Sequence, residues 1–144
     1  MNTKTKLYND VTVGDKLPSL EVPVSTSLVV GSAAASRDYT AVHHDKKAAQ
    51  AAGMPDVFMN ILASNGFAGR FATDWAGPDS TLKGIDIRLG APNIPGFILT
   101  LSGEVTAKDD VNNIVDITIM GENNVWGMHM MGTVRIALPT KTQG

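Results

Sequence analysis

Between Ser36 and Asn60 the chain reads SRDYTAVHHDKKAAQAAGMPDVFMN, and acids and imidazoles crowd there between apolar runs. Asp38 and His43 stand five residues apart, and His44 and Asp45 follow at once. A carboxylate and an imidazole brought together can hold one water and move its protons near neutral pH, the core of general acid–base chemistry. On a continuous helix, residues five apart diverge by about 140°, at roughly 3.6 residues per turn. The pair converges only if Asp38 lies in an extended or turn segment and His43 on the turn that follows. Asp38-Tyr39-Thr40 reads as such a turn, because short polar side chains satisfy the exposed amides of a helix start. A plainer reading stands beside this one: Asp38 and Asp45 are N-caps, and both histidines are solvated residues of a first turn. Caps are commoner than catalytic pairs, so these residues alone leave both readings open.

Other reactive side chains carry weaker signals. Adjacent His43, His44 and Asp45 point in different directions and have no H-x-H or cysteine companion, so a metal site is not expected. Ser64 and Ser102 lack a nucleophile motif such as G-x-S-x-G. Gly66-Phe67-Ala68-Gly69 follows no strand, so it is not a phosphate loop. His129 lies among methionines, on the face opposite Met128 and Met130, and reads as a partly exposed strand or interface residue. Arg37, Arg70, Lys83 and Arg88 could meet phosphates, although scattered surface cations are the simpler account.

The elements that position these residues follow from periodicity. Lys6 to Pro18 is irregular or an edge, with a turn at Gly14-Asp15. Val22 to Val30 is rich in β-branched residues and alternates loosely, which predicts a strand, and Gly31 to Ala35 a connection. Lys46 to Ala52 is alanine-rich and predicts a short helix, with Asp45 as its cap and Gly53 as its stop. Asp56 to Trp75 predicts the long helix. Its many small residues (Ala63, Gly66, Ala68, Gly69, Ala72) imply close approach to a sheet, and its two internal glycines weaken it by about 1 kcal/mol each. Ala76-Gly77-Pro78 ends it. Strands are expected at Lys83 to Gly90, Phe97 to Ala107, Ile114 to Met120 and Trp126 to Leu138, with turns at 109–113 and at Gly121 to Asn124. One long helix followed by meandering antiparallel strands is an α+β pattern with the helix packed on one sheet face.

Composition narrows the function. A chain of 144 residues fits a single domain over 1–144 with a real core, and 43% hydrophobic with 18% charged residues are globular values. A net charge of −2 gives no electrostatic case for nucleic acid or an anionic membrane. With no cysteine, disulfides, Fe–S clusters and thiol nucleophiles are excluded. The opening MNTKTKLYND has no apolar core, and no apolar run approaches the roughly 20 residues of a membrane span, so a soluble, cytoplasmic protein is expected.

The pattern Asp38-x-x-x-Val42-His43-x-Asp45, followed by Ala48 and Gly53, resembles the signature of the MaoC-like enoyl-CoA hydratases. RDYTAVHHD, DVFMNIL, ATDWAGP, IRLGAP and LSGEVTA extend the likeness from about Val24 to Val134. Within the family these blocks are most similar to the small subunit of bacterial steroid side-chain enoyl-CoA hydratases. Two departures stand out: Thr40-Ala41 replaces Asn-Pro, and Met59-Asn60 replaces His-Gly.

The resemblance implies a hot-dog fold, a curled antiparallel sheet around a central helix at Asp56 to Trp75. It implies that Asp38 and His43 hold the water added to a 2-enoyl-CoA thioester, with the division of acid and base roles left open. Backbone N–H groups near Met59 and Asn60 would receive the charge on the thioester oxygen, with the Asn60 side chain as a further candidate donor. No cofactor is implied beyond the coenzyme A of the substrate. The implied partner is a second, different MaoC-like chain in a two-plus-two assembly, with a homodimer as the alternative. A homodimeric (R)-specific hydratase on other acyl-CoAs, a hot-dog thioesterase and a non-catalytic acyl-binding subunit are the competing functions.

Overall fold

The computed structural model describes residues 3–140. Strands β1 (Leu20–Pro23), β2 (Thr81–Leu89), β3 (Ile98–Asp109), β4 (Ile114–Asn123) and β5 (Gly127–Ala137) form one antiparallel sheet in the order β1-β3-β4-β5-β2. Among the described residues, three α-helices accompany it: α1 (Thr26–Ala35), α2 (Lys46–Ala51) and α3 (Ile61–Ala76). The sheet curls around α3, so the α+β hot-dog architecture implied by the resemblance is the one found. Among the described residues, no helix is long and apolar enough to cross a membrane.

Period-two alternation builds the core. Along β4, Val115, Ile117 and Ile119 turn inward while Thr118, Met120 and Glu122 face out. Leu99, Leu101, Val105, Val134 and Ile136 join them from β3 and β5. Helix α3 lays Ala68, Phe71, Ala72 and Trp75 on this surface. Gly69 sets its distance from β2, since a Cβ there would stand 3.2 Å from Ile85 Cδ1 and 3.4 Å from Leu82 Cδ2. The small residues of the helix therefore do bring it close to the sheet.

Three expectations need correction. The run Val22 to Val30 is strand only to Pro23. Ser25 then caps α1 by accepting the Leu28 N–H at 3.0 Å, so Thr26 to Ala35 is helix rather than strand and connection. Its buried residues Val29 and Ala33 are four apart, a helical spacing that the β-branched valines obscured. The central helix begins at Ile61, not Asp56. Asn60 is its cap, with Oδ1 accepting the Ala63 N–H at 3.0 Å, whereas Asp56 pairs with Lys46 at 2.9 Å. The residues between them are not helical, and this approach to the helix matters for the site. Lastly, Gly121 is not a turn residue. A Cβ there would meet Met130 Cγ at 2.8 Å and Leu101 Cδ2 at 3.0 Å, so it lies packed within β4, and the turn comes after Asn123. Asn123 Oδ1 organises that turn by accepting the N–H groups of Val125 and Trp126 at 3.2 and 2.6 Å.

The expectations for β2, β3, the 109–113 turn and β5 agree with the structure to within a few residues. Helix α2 starts where expected, with Asp45 Oδ1 accepting from Lys47 and Ala48 N–H groups. The polar tail expected after Leu138 lies partly outside the described residues.

Candidate active site

Helix α1 delivers Asp38. The helix stops at Ser36, and Arg37 adopts a left-handed conformation at φ 58°. The Arg37 N–H then donates to the Ala34 carbonyl at 3.1 Å and the Asp38 N–H to the Ala33 carbonyl at 2.9 Å. This is the Schellman pattern of helix termination, with arginine where glycine is usual. It fixes the Asp38 backbone onto the end of α1.

A single 3₁₀ turn at Ala41–His43 follows, capped by the extended residue Thr40. The non-helical stretch from Asp38 to Thr40 removes the divergence a continuous helix would impose. His43 turns inward and is buried, while the neighbouring His44 is exposed. His43 Nε2 lies 3.4 Å from Asp38 Oδ2, and the two side chains are 10% and 22% exposed. The sequence pair is thus brought together, at a place that one small molecule can reach. Asp45 is only a helix cap.

The tautomer of His43 follows from its other contact. Nδ1 lies 2.7 Å from the Phe58 carbonyl oxygen, which can only accept, so Nδ1 carries the hydrogen. The Phe58 ring also meets the imidazole edge-on, with centroids 4.9 Å apart. In the neutral ring Nε2 is therefore a lone pair. It faces a carboxylate oxygen, and two acceptors 3.4 Å apart do not bond to each other. A water placed against both can donate one hydrogen to each.

Asp38 is held through both oxygens. Oδ1 accepts from Thr40 Oγ1 at 2.7 Å and from the Thr40 N–H at 3.2 Å. Oδ2 accepts from Asn60 Nδ2 at 3.1 Å. The Thr40 hydroxyl, the Asn60 amide and the Thr40 N–H, in that order, hold the carboxyl below its usual range, and His43 adds a smaller effect. Asn60 is almost fully buried at the start of α3, and its amide also donates to Ser36 Oγ at 2.9 Å.

The two residues named for the thioester oxygen fare differently. The Met59 N–H is already committed to the Asn93 carbonyl at 2.9 Å, and its side chain belongs to the core. The Asn60 N–H has no protein acceptor among the described residues. The Asn60 side chain is engaged with Asp38, Ser36 and Ala63, so it serves the acid and the helix.

Sequence reasoning missed Ser36, Thr40 and the Phe58 carbonyl. Thr40 had a local signal, because Asp and a residue two positions on commonly form such a turn. A backbone carbonyl leaves none. His129, expected to be partly exposed, is in fact 2% exposed. Its Nε2 lies 2.8 Å from Ser64 Oγ, and its Nδ1 lies 2.7 Å from the Ala91 carbonyl oxygen. Burial pushes it below the usual imidazole range, opposed in part by the Ala91 bond.

Carboxylates suited to a hot-dog thioesterase are engaged elsewhere. Asp74, near the far end of α3, pairs with Arg70 at 3.2 Å, and Asp56 pairs with Lys46.

No protein-family model matches the chain. It is 40% identical over 126 residues to the 3-oxo-4,17-pregnadiene-20-carboxyl-CoA hydratase beta subunit of Mycobacterium tuberculosis, covering 88% of this chain and 95% of that protein. The ChsH1–ChsH2 complex from M. tuberculosis contains a chain that superposes with a TM-score of 0.84 at 39% identity, over 88% of this chain and 98% of that one. The R-hydratase PhaJ1 from Pseudomonas aeruginosa shares the fold, with a TM-score of 0.82 at 23% identity over 94% and 86% of the two chains. The length of the first match and the agreement of fold with it lead to one conclusion: the chain belongs to the MaoC-like enoyl-CoA hydratase family.

Proposed function

We propose that this chain is the catalytic subunit of an enoyl-CoA hydratase, a hydro-lyase that adds water to the 2-enoyl-CoA ester of a steroid side chain. The observation that carries the reading is the pair of acceptors, Asp38 Oδ2 and His43 Nε2, 3.4 Å apart and each fixed from behind. The likeness to a pregnadiene-carboxyl-CoA hydratase subunit supplies the substrate class.

Water donates one hydrogen to each acceptor and turns an oxygen lone pair toward the β-carbon. The His43 Nε2 lone pair, fixed by the Nδ1–H bond to the Phe58 carbonyl, takes the proton as the C–O bond forms, while the Asp38 carboxylate holds the second hydrogen. The carbon–carbon π pair moves toward the thioester, leaving an enolate. The imidazolium, steadied by Asp38 and the Phe58 carbonyl, returns its proton to the α-carbon. One water has then been added across the double bond, and both side chains are restored. Negative charge on the thioester oxygen is met at the start of α3, by the Asn60 N–H and the positive end of the helix dipole. No cofactor is required beyond the coenzyme A carried by the substrate.

A second, different MaoC-like chain is proposed as partner. Among the described residues, β2 is an edge strand with one side unpaired. Leu82 and Leu89, on its α3-facing side, and Ile61 and Leu62, at the start of α3, remain about half exposed. Such an edge and apolar surface in a water-soluble protein are ordinarily covered. The related ChsH1–ChsH2 complex supports a heteromer of this kind, and the cytoplasm, where acyl-CoA esters occur, is the proposed location.

The test offers crotonyl-CoA, a steroid 2-enoyl-CoA and a saturated acyl-CoA to the chain alone and co-purified with its partner. Loss of the enoyl absorbance without thiol release, greatest for the steroid ester in the heteromer, is expected. Thiol release from the saturated ester would make the protein a thioesterase. Full activity of a lone homodimer on short enoyl-CoAs would remove the partner and the steroid.

A further inference from the structure

Ser64 and His129 are polar, buried and not used by the chemistry described above. Ser64 is 0% and His129 2% exposed, and Oγ lies 2.8 Å from Nε2. Because the Ala91 carbonyl can only accept, His129 Nδ1 carries the hydrogen, and the Ser64 hydroxyl donates to Nε2.

Regular strand alternation would not produce this pair. Pairing between β4 and β5 steps from Gly121↔Met130 to Glu122↔Met128, which leaves His129 as the extra residue of a β-bulge. Consecutive His129 and Met130 are consequently both buried, where a regular strand would send one of them outward. Bulges commonly re-aim a side chain beside an active site. The exit of β2 locks this one: the Gly90 N–H donates to the His129 carbonyl at 2.7 Å and the Ala91 N–H to the Met128 carbonyl at 2.8 Å. A Cβ at Gly90 would stand only 2.5 Å from the Met128 oxygen.

Two routes lead from His129 to the segment that holds the dyad. Ser64 lies in the first turn of α3, where its N–H donates to the Asn60 carbonyl at 3.2 Å and its Oγ lies 3.3 Å from the same oxygen. On the other side, Ala91 opens the loop in which the Asn93 carbonyl accepts the Met59 N–H at 2.9 Å. Met59 and Asn60 are thus gripped from both directions, and Asn60 is the residue that donates to Asp38.

We propose that Ser64 and His129 are positioning residues for the hydration, clamping the start of α3 so that the Asn60 amide meets the Asp38 carboxylate in one orientation. The inference rests on the hydratase reading above. A helix packed through alanines and glycines can slide slightly on apolar contacts, which have no preferred direction. A serine–histidine pair fixed at both ends cannot slide without leaving a buried acceptor unpaired. Displacement of a catalytic group by about 1 Å can cost about 10²-fold in rate.

The experiment measures steady-state kinetics per folded site on an enoyl-CoA that the wild-type assembly hydrates. Ser64→Ala and His129→Phe should each lower kcat about tenfold with KM within about twofold. In an Asn60→Ala background, either change should add less than about threefold, because it acts through a contact already lost. A full tenfold in that background, or single variants that lose melting temperature but keep kcat, would overturn the proposal. If His129→Phe does not fold, Ser64→Ala carries the same comparison with only one hydroxyl removed. A wild-type assembly that hydrates no enoyl-CoA defeats the functional reading together with this one. A hydrating wild type with indifferent variants defeats this inference alone.

Discussion

Asn60 joins the acid to the central helix: its side-chain Nδ2 lies 3.1 Å from Asp38 Oδ2, while its side-chain Oδ1 accepts the Ala63 N–H at 3.0 Å. One side chain therefore caps α3 and supplies a donor to the carboxylate, so the helix cannot shift without disturbing the acid. Where the wider family has glycine, this chain has coupled two tasks in one residue.

Removing either member of the dyad should cripple hydration. Asp38→Asn and His43→Ala should each lower kcat by at least about 10²-fold, the scale of lost acid–base catalysis. The double variant should be little worse than the poorer single one, since both act on one water. His44→Ala should be near normal because His44 is exposed and has no contact with Asp38 among the described residues. Equal loss from His44→Ala, measured in the same assay, would reverse the assignment of the histidine.

Asn60→Asp separates the two tasks. The new carboxylate still caps α3, but it strips both amide donors and places a second negative charge beside Asp38. The Asp38 carboxyl should then titrate higher, since a depressed group rises when its donors are lost. Carboxyl NMR titration should show Asp38 moving up from its wild-type position, with kcat down about 10²-fold. An unmoved Asp38 titration would show that Asn60 does not tune it.

His129 gives the protein a pH-dependent stability. Its folded-state value is depressed by burial, so the unfolded chain binds a proton that the folded chain resists. Stability from this residue is fully present above the unfolded value of about 6.5 and is lost as pH falls below it. Denaturant unfolding between pH 7.5 and 5 should show this decline in the wild type. His129→Phe should be less stable at pH 7.5 and show a shallower decline; parallel slopes for the two proteins would refute the attribution.

Arg37→Gly should stabilise the chain by about 1 kcal/mol. Arg37 is exposed and left-handed at φ 58°, a conformation that costs non-glycine residues about 1–2 kcal/mol and glycine little. The gain should appear as a rise in the urea midpoint with an unchanged slope. A lower midpoint would mean that the arginine side chain makes a compensating contribution.

Local chemistry in the sequence sufficed for the strands of the meander and for Asp45 as a cap, and it marked Asp38 and His43 as a candidate pair while leaving open whether they act together or merely cap a turn. Alternation and cap residues act between neighbours, so they are readable along the chain. The run Val22 to Val30 showed the limit of this, since its valines fit a strand and its four-residue spacing fits a helix. Only the Ser25 cap and packing against α3 settle which period wins. The start of α3 was equally open locally, because Asp56 and Asn60 can both cap, and the Lys46 ion pair and the Asp38 carboxylate divide them. His129 was beyond local reading altogether. A two-residue alternation sends it outward, and it turns inward because cross-strand pairing with β4 inserts a bulge at that point. Its partner Ser64 lies 65 residues away in the chain. Contacts between groups so distant become determined only when the closed sheet and the central helix leave each buried polar atom few partners to choose from.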